Sequence, residues 1–162
     1  MTGKKIIRGA AVMAVIIAVP LIFYFGFSPS FLVLTHGDTG KILGEFPVKS
    51  GDEFSVSFVH SVNQSSVTDV YAIRGNAIFV IRTIYYSFGA GVQTEIQEGQ
   101  TLEYGDDGAM IVSGFNKRMD NLSYIVGTVS DHILEINGQM VSLRELCGKN
   151  TCVRFAVRRK LF

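Results

Sequence analysis

The sequence predicts an all-β chain, an antiparallel β-sandwich or partly closed barrel, preceded by one N-terminal transmembrane helix. Three observations predict it. Short runs rich in β-branched and aromatic residues follow one another from residue 31 to residue 157. Turn pairs such as Gly75-Asn76 and Asn137-Gly138 separate alternating runs, and these residue types accept positive φ. The segment 9–27 carries no charge over nineteen residues.

That uncharged segment follows Lys4, Lys5 and Arg8. As a helix at about 1.5 Å per residue it would span roughly 28 Å, close to the ~30 Å hydrocarbon core. Pro20 is tolerated in such a span, and Tyr24 suits its outer interface. The basic cluster keeps the N-terminus cytoplasmic and sends the rest of the chain outward. The rival reading is a cleaved signal peptide, which normally has a shorter apolar core and a small-x-small cleavage site. The expected organisation is a cytoplasmic stub and membrane anchor over 1–29 and an extracytoplasmic β domain over 30–162.

The predicted strands run over 31–35, 41–48, 53–61, 67–74, 77–87, 101–104, 109–113, 123–129, 132–136, 139–143 and 152–157. One helical turn is allowed near 142–147, and no longer helical period follows the anchor. Many short strands at regular spacing suit a sandwich or barrel. Of the 162 residues, 48% are hydrophobic and 18% charged, with a formal net charge of +1. That excludes a disordered chain, and the absent basic excess argues against nucleic acid as a partner. Past the anchor, twelve Lys/Arg stand against fourteen Asp/Glu, a balance near −2.

The central hairpins can be registered from their turns. A two-residue turn at Asn63-Gln64 places His60 opposite Val67 and Phe58 opposite Asp69; a second at Gly75-Asn76 places Ile73 opposite Ile78 and Asp69 opposite Arg82. Side chains alternate with period two, so Phe54, Val56, Phe58, Tyr71 and Ile73 share one apolar, inward face with His60, Asp69 and Arg82. Buried charge must be paired, and this register supplies the pair. The group reads either as a structural salt bridge or as a polar pocket at the rim of the core. In the pocket reading His60, Ser61, Asp69 and Arg82, with Ser87, Gly89 and Gly91 of the following bend, bind a ligand or partner. Ser87-Phe88-Gly89-Ala90-Gly91 matches neither a dinucleotide fingerprint nor a nucleophile elbow.

His36, His60 and His132 are scattered without a metal-binding spacing, so no metal or other cofactor is expected. Cys147 and Cys152 enclose four residues containing Gly and Asn. In an exported domain this spacing suits a disulfide staple across a hairpin. Arg154, Arg158, Arg159 and Lys160 alternate with apolar residues, as in a strand with a solvated face; docking on lipid headgroups or a partner is the other reading.

The pieces Phe58-Val59-His60-Ser61-Val62, Val67-Thr68-Asp69-Val70-Tyr71 and Ser87-Phe88-Gly89-Ala90-Gly91, with His132, Gly138 and Leu143 later, resemble the DUF1850 family over about residues 31–157. These are small bacterial single-pass proteins of unknown function. The chain has Asp69 where the family usually has Glu, and Val92-Gln93 where it usually has Leu-Pro. Genes of the family commonly lie beside those of TAXI-type TRAP transporters, which combine a solute receptor with a permease. The resemblance implies an accessory role at the bacterial cytoplasmic membrane, with the permease or the solute receptor as partner. It brings no activity. The expected function is therefore binding rather than catalysis, on a C-terminal domain outside the cytoplasm. The alternatives are an extracytoplasmic hydrolase using His60 and Asp69 and a structural envelope protein.

Overall fold

The structure, a computed structural model, describes residues 29–62, 64–87 and 95–160. The anchor segment lies outside them. Among the described residues no helix is long and apolar enough to cross a membrane.

The strands are β1 (Ser30–His36), β2 (Ile42–Val48), β3 (Glu53–Val59), β4 (Ser66–Arg74), β5 (Ala77–Tyr85), β6 (Thr101–Tyr104), β7 (Met110–Arg118), β8 (Ser123–Ile125), β9 (His132–Ile136), β10 (Gln139–Ser142) and β11 (Cys152–Arg159). One short helix, α1 (Leu143–Cys147), precedes β11, with Ser142 as its N-cap. Every pairing is antiparallel. They form a four-stranded sheet, β2-β1-β11-β8, and a seven-stranded sheet, β10-β9-β3-β4-β5-β7-β6. The all-β expectation is met as two sheets with no closed barrel.

The main core lies between the sheets. Leu32, Leu34, Val153 and Phe155 of the small sheet pack with Phe54, Val56, Ile73, Leu134 and Ile136 of the large one. Phe54 stacks on Tyr71 at 5.0 Å and on Phe155 at 6.1 Å, joining the layers. A second cluster, Val67, Tyr85, Met110 and Val112 with Phe58, Leu102 and Phe115, comes wholly from the large sheet.

Two of the predicted turns form as expected. Arg74 pairs with Ala77 around Gly75-Asn76, and Ile136 with Gln139 around Asn137-Gly138, where Asn137 and Gly138 take φ 52° and 73°. The β3–β4 connection is longer than expected. It closes between His60 and Ser65, the His60 amide donating to the Ser65 carbonyl at 2.9 Å, with Gln64 at φ 50°. Val56, not Phe58, therefore faces Asp69. The slip is two residues, so each side chain keeps its face.

In β5 the correction is larger. Val70 pairs with Arg82 but Tyr71 with Val80, so Ile81 is an extra residue. Across the same bulge Val80 pairs with Lys117 and Arg82 with Ser113 of β7. Gly114 and Asn116 take positive φ on that partner strand. The bulge flips everything after Ile81. Thr83 and Tyr85 face inward, and Arg82 and Ile84 face outward.

Candidate functional site

Asp69 occupies an inward position of β4 between Val67 of the second cluster and Tyr71 of the main core. Its carboxylate is met by hydroxyls from both sheets. Thr83 donates to Oδ1 at 2.8 Å, and Tyr124 of β8 donates to Oδ2 at 2.7 Å. Tyr124 has one hydroxyl proton, so its 2.6 Å bond with Tyr71 is donated by Tyr71. The result is a one-way chain, Tyr71 to Tyr124 to Asp69. Burial, then the Asp69 charge, pushes both phenols well above their ordinary range and keeps them protonated donors.

The histidine nearest this chain is His132, not His60. His132 is paired with Phe58 and is 8% exposed. Its ring stacks on Phe58 at 5.0 Å and lies 5.5 Å from the Tyr124 ring. Burial, opposed by Asp131 and aided by Arg144, holds it below its ordinary pKa, and among the described residues its Nδ1 has no hydrogen-bond partner. Asp131 accepts from the Ser142 hydroxyl and from the Arg144 and His132 amides. Burial works to raise its pKa, but these bonds and the Arg144 charge outweigh it and hold the carboxyl low. Ser142 also accepts from the Glu145 amide, tying Asp131 to the cap of α1.

The expected group of His60, Asp69 and Arg82 does not form. His60 follows β3 directly, and its Nδ1 accepts from the Val62 amide at 3.4 Å. It lies four residues beyond Val56, the partner of Asp69, or about 13 Å along a strand. Arg82 is on the other face of the sheet, 2.9 Å from Glu53 in an ion pair whose side chains are 40% and 46% exposed. That pair borders an open groove of about 330 Å³ with Ser55, Thr68, Val70 and Ile84. A hydrolase pairing His60 with Asp69 lacks its contact.

His60 and Ser61 lie instead at one end of the large sheet, together with Ser87, which follows β5. Gly89 and Gly91 are outside the described residues. At the same end Val59, Val62, Tyr86, Tyr104 and Val129 are exposed. Ser130 ties the 127–131 loop to it by donating to the Val59 carbonyl at 3.0 Å.

Cys147 and Cys152 are free thiols, which corrects the expected disulfide. The Cys147 thiol turns back within α1 to the Leu143 carbonyl at 3.1 Å, and burial pushes its pKa up. Past Gly148 the chain is stitched to Val126 through Asn150 and Thr151, and the Thr151 hydroxyl donates to the Cys147 carbonyl at 3.1 Å. Cys152 packs against Gly37, where even an added Cβ would lie 2.6 Å from its own. Among the described residues no three His, Cys, Asp or Glu side chains converge as a metal site would require.

A family model described as a domain of unknown function, DUF1850, matches residues 54–143, more than half of the chain. The match runs from β3 to the start of α1 and includes Asp69, Thr83, Tyr124 and His132. No curated protein and no solved structure matches this chain. The chain belongs to the DUF1850 family.

Proposed function

We propose that this DUF1850 member is a membrane-anchored extracytoplasmic binding protein that assists a solute transporter of the TAXI-type TRAP class. Residues 1–29 are its cytoplasmic stub and anchor in the bacterial cytoplasmic membrane, and residues 30–162 are the exported domain. The observation that carries the reading is the exposed apolar set Val59, Val62, Tyr86, Tyr104 and Val129 gathered at the loop-bearing end. Grouped apolar exposure rimmed by polar side chains, here His60, Ser61 and Ser87, is the usual form of a protein contact surface. The Asp69 network behind it supplies rigidity, because its hydroxyl donors come from both sheets. The transporter assignment draws on the family resemblance and on the charge pattern ahead of segment 9–27.

The test is a mild-detergent pulldown of the full-length chain. A permease or solute receptor in stoichiometric amount is expected. A clean monomer that turns over ester or peptide substrates would contradict the reading.

A further inference from the structure

The end of the sandwich opposite those loops has a different chemistry. The chain enters the fold there at Pro29 and Ser30: Ser30 pairs with Arg159 on one side and Val48 on the other, and the Lys160 amide donates to the Pro29 carbonyl at 3.0 Å. Bonds between turns gather the rest of this end. The Gly75 amide donates to the Ser50 hydroxyl at 3.0 Å, and the Asn137 side chain donates to the Pro47 carbonyl at 2.8 Å. Lys49, Arg74, Lys117, Arg158, Arg159 and Lys160 are all exposed here. Three of the nearby acids are engaged already, and a fourth, Glu135, is exposed one strand away, level with Ser55. Asp52 accepts from the Lys49 amide, Glu53 pairs with Arg82, and Asp120 pairs with Arg118. Of the six bases, Lys160 has an ion pair, with Glu45, and the Arg74 guanidinium donates to Asn116.

The far end carries Asp38, Glu103, Asp106, Asp107 and Glu145 against Lys41 and Lys149, all exposed. The exported part is slightly acidic in sum, so its charge attracts no anion from a distance, but its two ends are oppositely charged. We infer that the basic end lies against anionic lipid headgroups and holds the domain upright, with the loop-bearing end facing away. This rests on the anchor reading above, because a span ending just before Pro29 delivers this end within the few ångströms over which headgroup charge is felt. Lys160 over the Phe31 ring at 5.0 Å adds an apolar side chain beside the point of entry.

The experiment uses the full chain in lipid nanodiscs of phosphatidylcholine, with or without phosphatidylglycerol, and a water-soluble amine reagent. Labelling of Lys49, Lys117 and Lys160 is expected to slow at least about fivefold when phosphatidylglycerol is present and to recover in high salt. Lys41 and Lys149, at the far end, should label equally throughout. Arg158→Glu with Arg159→Glu should remove the protection. A chain that coelutes with the discs but labels equally in both overturns this inference alone. A chain that elutes apart from both kinds of disc overturns the anchor reading and this inference with it. Protection in neutral discs that appears only with the transporter present assigns the basic end to an acidic protein face and overturns the lipid assignment.

Discussion

The two ends of this sandwich are built differently. At the basic end the chain reverses through the two-residue turns Gly75-Asn76 and Asn137-Gly138 and the short turn joining Val48 to Glu53. Its exposed side chains are mainly charged. At the other end lie the loop from His60 to Ser65, the links around Ser87 and Val129, and α1. Ile42, Val59, Val62, Tyr86, Tyr104, Ile125 and Val129 are exposed there. Tight turns leave little side chain to present, whereas longer loops on a rigid scaffold present several at once. This difference is what the proposal rests on, with recognition at the loop-bearing end and orientation at the basic end.

Predicted effects of substitution sharpen this division. The largest should come from the interior shared by both ends. Leu134 is fully buried in the main core, and Leu134→Ala should cost about 2–5 kcal/mol in urea unfolding. Loss of partner binding and of lipid protection should then appear together as the domain unfolds. Asp69→Ala leaves the Tyr124 and Thr83 hydroxyls without their acceptor and should cost about 1–3 kcal/mol. Tyr124→Phe should cost less, and the double variant should fall short of the sum because both act on one network. Additivity in the same unfolding assay would contradict the network.

The pH dependence should also separate by position. Burial depresses His132, so the unfolded chain takes up its proton first. The stability is full above the ordinary value of 6.5 and is lost as pH falls through it toward the folded value. Melting temperature followed across mildly acidic pH should therefore fall, and His132→Gln should flatten that slope. Asp131 acts lower: its contribution is complete above 3.8 and lost as pH drops below it. The smallest effect should be that of Arg82→Ala. Its pair with Glu53 is solvent-screened and should contribute below about 1 kcal/mol, less still in high salt.

Much of the fold was legible in period-two alternation and in turn chemistry. The strand runs and the tight turns after Arg74 and Ile136 lie close to where the sequence places them. A wrong loop length at His60 kept every face, because the slip is two residues, but it carried His60 two positions further from Asp69. The bulge at Ile81 was not legible. Isoleucine is an ordinary strand residue, and the positive-φ residues that accommodate it, Gly114 and Asn116, lie on a strand reached only through the tertiary pairing. That one residue moved Arg82 to the face opposite Asp69, and with the slip at His60 the expected cluster dissolved. The residues around the Asp69 network carried partial signals. His132, Leu134 and Ile136 alternate on one apolar face, which marks His132 as inward. Tyr124 reaches Asp69 from the other sheet, and no local pattern encodes that contact.

The central claim is that recognition sits at the loop-bearing end and not at the basic end. The most direct measurement compares two full-length variants with the wild type by quantitative detergent pulldown of the transporter component. Val62→Asp with Tyr86→Ala should lower recovery by about tenfold or more while leaving the melting temperature unchanged. Arg158→Glu with Arg159→Glu should leave recovery in detergent as it is. Equal recovery from the loop-end variant, or loss from the basic-end variant, would contradict the account.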